Sequence, residues 1–169
     1  MTVAESERLR LRWFNGGDAA FISELLNEPS WIQYIGDKGI KTLQDALHYI
    51  ENGPVAMYKR VGFGLYAVEL KEGGKPIGMC GLIQREALAD IDLGFAFLPA
   101  YWRKGYAFEA ASTVMSYGRH ALGIRRIVAI LSPDNDRSRK LLEKLGFRFE
   151  STVRLPPNGE ELKLYAFGA

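Results

Sequence analysis

The chain is 169 residues long, 47% hydrophobic and 25% charged, with a formal net charge of +2. That length fits one domain, taken as residues 1–169, with a sizeable core. The charge is too small for the field of the whole molecule to argue for nucleic acid. The single cysteine, Cys80, excludes an internal disulfide framework and paired-cysteine zinc knuckles, and its apolar setting reads as core. No apolar run approaches the roughly 20 residues of a membrane span, and the start MTVAESER is too polar for a signal peptide. The expectation is a cytoplasmic protein with no membrane partner and no metal.

Residues 8–14, RLRLRWF, alternate charge with Leu9, Leu11 and Trp13, which predicts a strand with one dry face. Asn15, Gly16, Gly17 and Asp18 break it, with Asp18 as cap of a helix carrying Ala19, Ile22, Leu25 and Leu26 at helical spacing. Pro29 lies just past its end, and 31–35 reads as an aromatic, irregular, exposed segment. Thr42 opens a second helix that turns Leu43, Ala46, Leu47 and Ile50 inward. Asn52-Gly53-Pro54 stops it, and a short third helix runs to Arg60.

From Gly62 the period changes to two. Residues 63–70 and 77–84 form a hairpin around Glu72-Gly73-Gly74-Lys75, and 91–98 pairs as a third antiparallel strand. Residues 62–67 fit a loosened GxGxxG, but they lead into a strand, the reverse of the dinucleotide-binding context. After a helix over 103 to about 122, residues 126–131 are apolar enough to be buried on both faces. A strand–helix–strand crossover places that strand parallel to 91–98. Pro133 ends it, Asp134, Asn135 and Asp136 supply caps, and the next helix stops at Gly146. Residues 147–155 and 161–167 close the sheet as a last hairpin. The fold class is α/β with a mixed sheet, and the strand edges and last hairpin could support a homodimer.

The stretch 92–111, DLGFAFLPAYWRKGYAFEAA, carries the chemistry. Leu93, Phe95 and Phe97 alternate with small residues until Pro99 stops the strand, and a basic turn then opens a helix. A helix start leaves about four N–H groups unpaired with partial positive charge behind them. Gly105 lets backbone approach a ligand, and Arg103 and Lys104 add cationic side chains, the make-up of a phosphate-binding turn. Both parallel strands stop at a Pro and feed a helix. At the carboxyl edge of such neighbours a gap can open, where α/β sheets bind ligands. An amide-bearing arm tied to a pyrophosphate, as in coenzyme A, has the shape for that gap.

The strand DLGFAFLP, the turn YWRKGYAFEA and the segment SPDNDRSRKLLEKLGFRFE at 132–150 resemble the GNAT acyl-CoA N-acyltransferases. The RimJ/RimL-like branch is the nearest in pattern, with SERLRLRWFNGGDA at the start and ELKLYAF near the end also similar to it. The resemblance implies a mostly antiparallel sheet of about six or seven strands flanked by helices, with one splayed parallel pair. It places the family's Q/R-x-x-G-x-G/A turn on residues 102–107, with Trp102 in place of Gln or Arg. By that likeness the amides of Arg103, Lys104, Gly105, Tyr106 and Ala107 hold the pyrophosphate, and main-chain groups of Phe95, Phe97 and Leu98 hold the pantetheine arm. Asn135 would bond that arm from the other side, and Ser138 follows one helical turn later.

The implied activity is transfer of an acetyl group from acetyl-CoA to a primary amine, a protein N-terminal α-amine or a small molecule, directly in a ternary complex. An α-amine with pKa near 7.7–8 already has a substantial neutral fraction, so alignment can supply much of the rate. Asp92, which opens the central strand, is the candidate base, with Asp90 and Glu86 as rivals. Many relatives place a Tyr acid on the last helix, but Leu142 holds that position here, leaving Ser138 or water to serve the departing thiolate. Trp31 and Tyr34 are the expected walls of the acceptor pocket, with Tyr58 and Tyr66 as further possibilities, and His48 and His120 carry no assigned chemistry. Two other readings stand beside this one: a non-catalytic acyl-CoA-binding sensor, and a protein-binding module whose basic turn grips an acidic segment.

Overall fold

The computed structural model describes residues 1–156 and 159–168. Its strands are β1 (Thr2–Glu5), β2 (Leu9–Arg12), β3 (Leu65–Leu70), β4 (Pro76–Ile83), β5 (Ile91–Phe97), β6 (Ile127–Leu131), β7 (Arg148–Arg154) and β8 (Glu161–Phe167). They form one eight-stranded sheet in the order β1-β2-β3-β4-β5-β6-β8-β7, antiparallel except for the β5–β6 pair. The extra strand relative to expectation is β1. Its sequence, TVAE, is too short for an apolar alternation to announce it; it is held by backbone pairing, Ala4 with Leu11 and Glu5 with Arg10, and by Val3 packing against the core.

The helices are α1 (Ala19–Leu26), α2 (Pro29–Tyr34), α3 (Leu43–Ile50), α4 (Ala56–Val61), α5 (Tyr106–His120) and α6 (Asp136–Lys144). Three local expectations are corrected. Asn15, not Asp18, provides the cap after β2: its side chain accepts the Gly17 N–H at 2.8 Å. Asp18 closes the capping box and takes the Arg12 guanidinium through both oxygens, at 2.9 and 2.8 Å. Second, Pro29 does lie just past α1, which ends at Leu26, but it also begins a helix of its own, since a first-turn Pro gives up only an N–H that would be unpaired anyway. Residues 31–35 are therefore largely helical, and Trp31 is buried. Third, the Asn52-Gly53-Pro54 stretch does not stop the chain's helix. A π-turn over Glu51–Val55 carries α3 into α4, its wider loop accommodating the Pro54 ring.

Two cores lie on opposite faces of the sheet. One packs α5 against Leu82, Leu93, Ile127 and Phe147, and the other packs α1 to α3 against Ala67, Met79 and Leu98. Cys80 belongs to the first and is fully buried, which pushes its thiol well above the usual range and leaves it no role as a nucleophile.

The relationship that shapes the site is between β5 and β6. They pair only through Ile91 with Ile127 and Asp92 with Val128. Beyond those residues β5 stays on β4 as far as Phe97, and β6 stays on β8 as far as Leu131. The two neighbours therefore part after Asp92, and the gap opens toward their carboxyl ends.

Candidate active site

The ladder geometry says which main-chain groups face that gap. Leu98 donates its N–H to Ile77 on the β4 side at 3.0 Å, and its carbonyl accepts the Tyr101 N–H at 2.9 Å. In an antiparallel ladder successive residues point their N–H and C=O to opposite sides. Ala96 thus faces β4, like Leu98, whereas Phe95 and Phe97 face β6, beyond its last pairing with β5. Of the three residues expected to hold the arm, Leu98 differs in having its N–H committed to β4 and its carbonyl bonded by Tyr101. The Phe97 carbonyl accepts the Trp102 indole N–H at 2.8 Å, which leaves its N–H as the group directed to the gap.

After a single 3-10 turn over Pro99–Tyr101, the chain swings through two left-handed residues, Arg103 at φ 62° and Gly105 at φ 83°, into the start of α5. The helix begins at Tyr106, not at 103, so residues 103–105 are the turn itself. Left-handed conformers in such a turn direct successive N–H groups into one concavity, the arrangement that binds anions. For Gly105 this needs no Cβ. For Arg103 it costs of order 1 kcal/mol and persists only because the surroundings hold it.

A cavity of about 530 Å³ joins this turn to the gap. Arg103, Gly105, Tyr106, Ala107 and Phe108 line it, together with Phe95, Ala96 and Phe97 of β5 and Trp31 and Tyr34 of α2. Asn135 and Ser138 face it from α6. Lys104 is not on its wall: its ammonium sits over the Tyr101 ring at 5.9 Å, and its carbonyl is bound from behind the turn. Tyr58 and Tyr66 are corrected as acceptor walls, since they stack in the sheet core with Trp13, and Tyr58 bonds the Leu65 carbonyl.

Asn135 caps α6 by accepting the Ser138 N–H at 3.2 Å, so its carboxamide oxygen is taken and its NH2 is the group left to donate. Trp31 is buried, and its indole nitrogen has no hydrogen-bond partner among the described residues. The end of α2 is tied to the end of β6 by the Ser132 hydroxyl, which donates to the Tyr34 carbonyl at 2.9 Å. That bond brings the two expected acceptor residues to the mouth of the gap.

Asp92 lies at the foot of the gap, 1% exposed, outside the cavity wall. Burial pushes its carboxyl pKa up, and the opposing pull of Arg85, whose Nε lies 3.1 Å away, does not cancel it. Asp90 is engaged with Arg126 at 3.0 Å. Leu142 is 1% exposed within the core, so the missing Tyr has left an apolar contact behind it.

Three cations on α6, Arg137, Lys140 and Lys144, also line the cavity and were not singled out from the sequence. Their i, i+3, i+7 spacing was the available signal, since those positions share one face of a helix. The guanidinium carbon of Arg137 sits over the Trp102 ring, 3.6 Å from its centre, so Trp at that position of the turn carries the strand bond on one edge and a guanidinium over its face. With Arg103 the wall holds four cations against one carboxylate, Glu28. An elongated polyanion with an apolar, amide-bearing arm fits this donor set.

A family model described as acetyltransferase (GNAT) domain matches residues 8–148. The chain is 32% identical to a protein of Bacillus subtilis (strain 168) named uncharacterized N-acetyltransferase YoaA, over 90% of this chain and 86% of that one. Among solved structures, an acetyltransferase of the GNAT family from Bacillus anthracis is 26% identical with a TM-score of 0.81, covering 99% of this chain and 98% of its own. RimL, a ribosomal L7/L12 α-N-protein acetyltransferase solved with coenzyme A, shares the fold at a TM-score of 0.83 and 16% identity, covering 99% and 98%.

Proposed function

Because the chain belongs to the GNAT acetyltransferase family, we propose that it binds acetyl-CoA across the β5–β6 gap and transfers the acetyl group directly to a primary amine. Membership makes it an acyltransferase. The acceptor class, a peptide N-terminal α-amine or a small-molecule amine, is the finer part of the reading. The observation that carries it is the parting of β5 from β6 after Asp92, continuous through one cavity with the Gly105 turn.

When bound, acetyl-CoA supplies an activated thioester carbonyl. The N–H groups at the start of α5 and the cations Arg103, Arg137, Lys140 and Lys144 suit the diphosphate and its charge. The N–H groups of Phe95 and Phe97, with the Asn135 carboxamide, suit the amides of the arm. Trp31 and Tyr34 wall the acceptor end. As the nitrogen–carbon bond forms and the carbon–sulfur bond breaks, the nitrogen loses a proton and the thiolate gains one. Asp92 is the proposed final acceptor of the first, through an intervening water because it lies buried outside the cavity wall at the foot of the gap. Ser138, facing the cavity, is the proposed hydrogen-bond donor to the sulfur.

The test is thiol release from acetyl-CoA with a panel of peptide N-termini, amino acids and polyamines. The reading predicts amine-dependent release with one mole of acetylated amine per mole of thiol. Leu142, buried where an acid would stand, favours the sensor as second reading; tight CoA binding with no release across the panel would establish it.

A further inference from the structure

The Gly105 turn is held from behind by a residue 96 positions before Lys104. Arg8 follows β1 and lies against the opening of α5. Its Nη1 donates to the Lys104 carbonyl at 3.0 Å, and its Nε donates to Glu109 at 2.7 Å. Its main-chain N–H reaches the other Glu109 oxygen at 2.8 Å, and the Ser6 hydroxyl reaches the same oxygen at 2.5 Å. Its Cζ sits 4.3 Å from the centre of the Tyr106 ring, and its Nη2 lies 3.2 Å from where a Cβ on residue 105 would stand. Glu109 itself closes the first turn of α5 onto the Gly105 carbonyl at 3.0 Å. One guanidinium therefore touches the carbonyl before Gly105, the Cα side of Gly105, the ring after it and the carboxylate one turn on.

That geometry explains how a non-glycine residue, Arg103, is kept at φ 62°. A left-handed residue returns to an ordinary conformer unless its neighbours are fixed. Fixing the Lys104 carbonyl from behind turns the following N–H groups toward the cavity. Loss of the clamp would leave the anion site to be ordered by the ligand at the moment of binding, at an entropic cost.

We propose that Arg8 is a positioning residue for the anion-binding turn, acting through Lys104 and Glu109 on the amides that receive a diphosphate. The proposal rests on the acetyl-CoA reading above and adds to it a residue outside the cavity wall. It makes the β1–β2 connection part of the cofactor site, so that binding is coupled to an edge of the sheet remote from the gap.

The experiment compares wild type, Arg8→Gln and Arg8→Lys, with Arg10→Gln on the adjoining strand β2 as control, using calorimetry with CoA and NMR titration with S-acetylpantetheine, which lacks the diphosphate. Amide hydrogen exchange of the unliganded proteins supplies a second readout. Arg8→Gln should weaken CoA about tenfold, the scale of one charge-assisted hydrogen bond, and leave S-acetylpantetheine within twofold. Arg8→Lys, able to satisfy Glu109 or the Lys104 carbonyl but not both, should fall between, and exchange should quicken at Gly105 and Tyr106 in both variants. CoA affinity unchanged in Arg8→Gln, or an equal loss for both ligands, overturns the proposal. Wild type that fails to bind CoA overturns the acetyl-CoA reading itself, before any variant is compared.

Discussion

The indole nitrogen of Trp102 donates to the carbonyl of Phe97 at 2.8 Å, closing the loop between the end of β5 and the turn that precedes α5. The strand end and the Arg103–Gly105 turn are thereby tied together, with Arg137 over the face of the same ring. The two ends of a long ligand would meet surfaces already joined to each other.

Replacing Trp102 by Phe keeps a ring beneath Arg137 and removes only the N–H. The Phe97 carbonyl then loses its partner, which should lower stability by about 1 kcal/mol. A melting temperature drop of about 2–4 °C follows for a chain of this size, and CoA affinity should fall several-fold by calorimetry.

Asp92 combines two expectations of opposite sign. Its folded pKa is raised, so the folded state favours the protonated carboxyl, and the ionised form at neutral pH is held at a cost. Stability contributed by protonation is present below the ordinary carboxylate range and is lost as pH rises through the folded pKa. Asp92→Asn removes that loss, so its melting temperature should exceed wild type at pH 7.5 and the difference should shrink as pH falls toward 4. Acetyl transfer at pH 7.5 should drop about 100-fold in kcat/KM if the carboxylate takes the amine proton. Thermal melts across pH and steady-state rates on the same variant check both halves.

Asn135 serves the helix and the cavity with different atoms. Asn135→Ala should cost about 1 kcal/mol through loss of the cap on the Ser138 N–H. Asn135→Ser keeps a capping oxygen and removes the carboxamide NH2. It should melt like wild type while binding CoA several-fold more weakly, which chemical denaturation and calorimetry on the pair would separate.

The parts of this molecule that were legible in the sequence are those written in local chemistry. Pro99, Gly105 and the apolar run at 127–131 announced the strand ends, the turn and the crossover, because each acts within a few residues of itself. What stayed hidden depends on partners far away in the chain. Leu98 looked equivalent to Phe95 and Phe97, and only the register against Ile77 showed that its main-chain groups are taken. Strand β1 offers only Val3 to the core, too little for an alternating pattern, and Trp31 seemed exposed until Pro29 proved to open a helix. Arg8 read as one charge in an alternating strand, although its guanidinium contacts lie at Lys104, Tyr106 and Glu109.

The claim on which everything else rests is that CoA lies between β5 and β6 with its diphosphate on the turn that opens α5. Titrating CoA into uniformly ¹⁵N-labelled protein tests it most directly. The amides of Gly105, Tyr106 and Ala107 should shift together with those of Phe95 and Phe97, while Ala96 and Leu98, committed to β4, move little. Saturable binding that leaves residues 105–107 and both phenylalanine amides in place would contradict it.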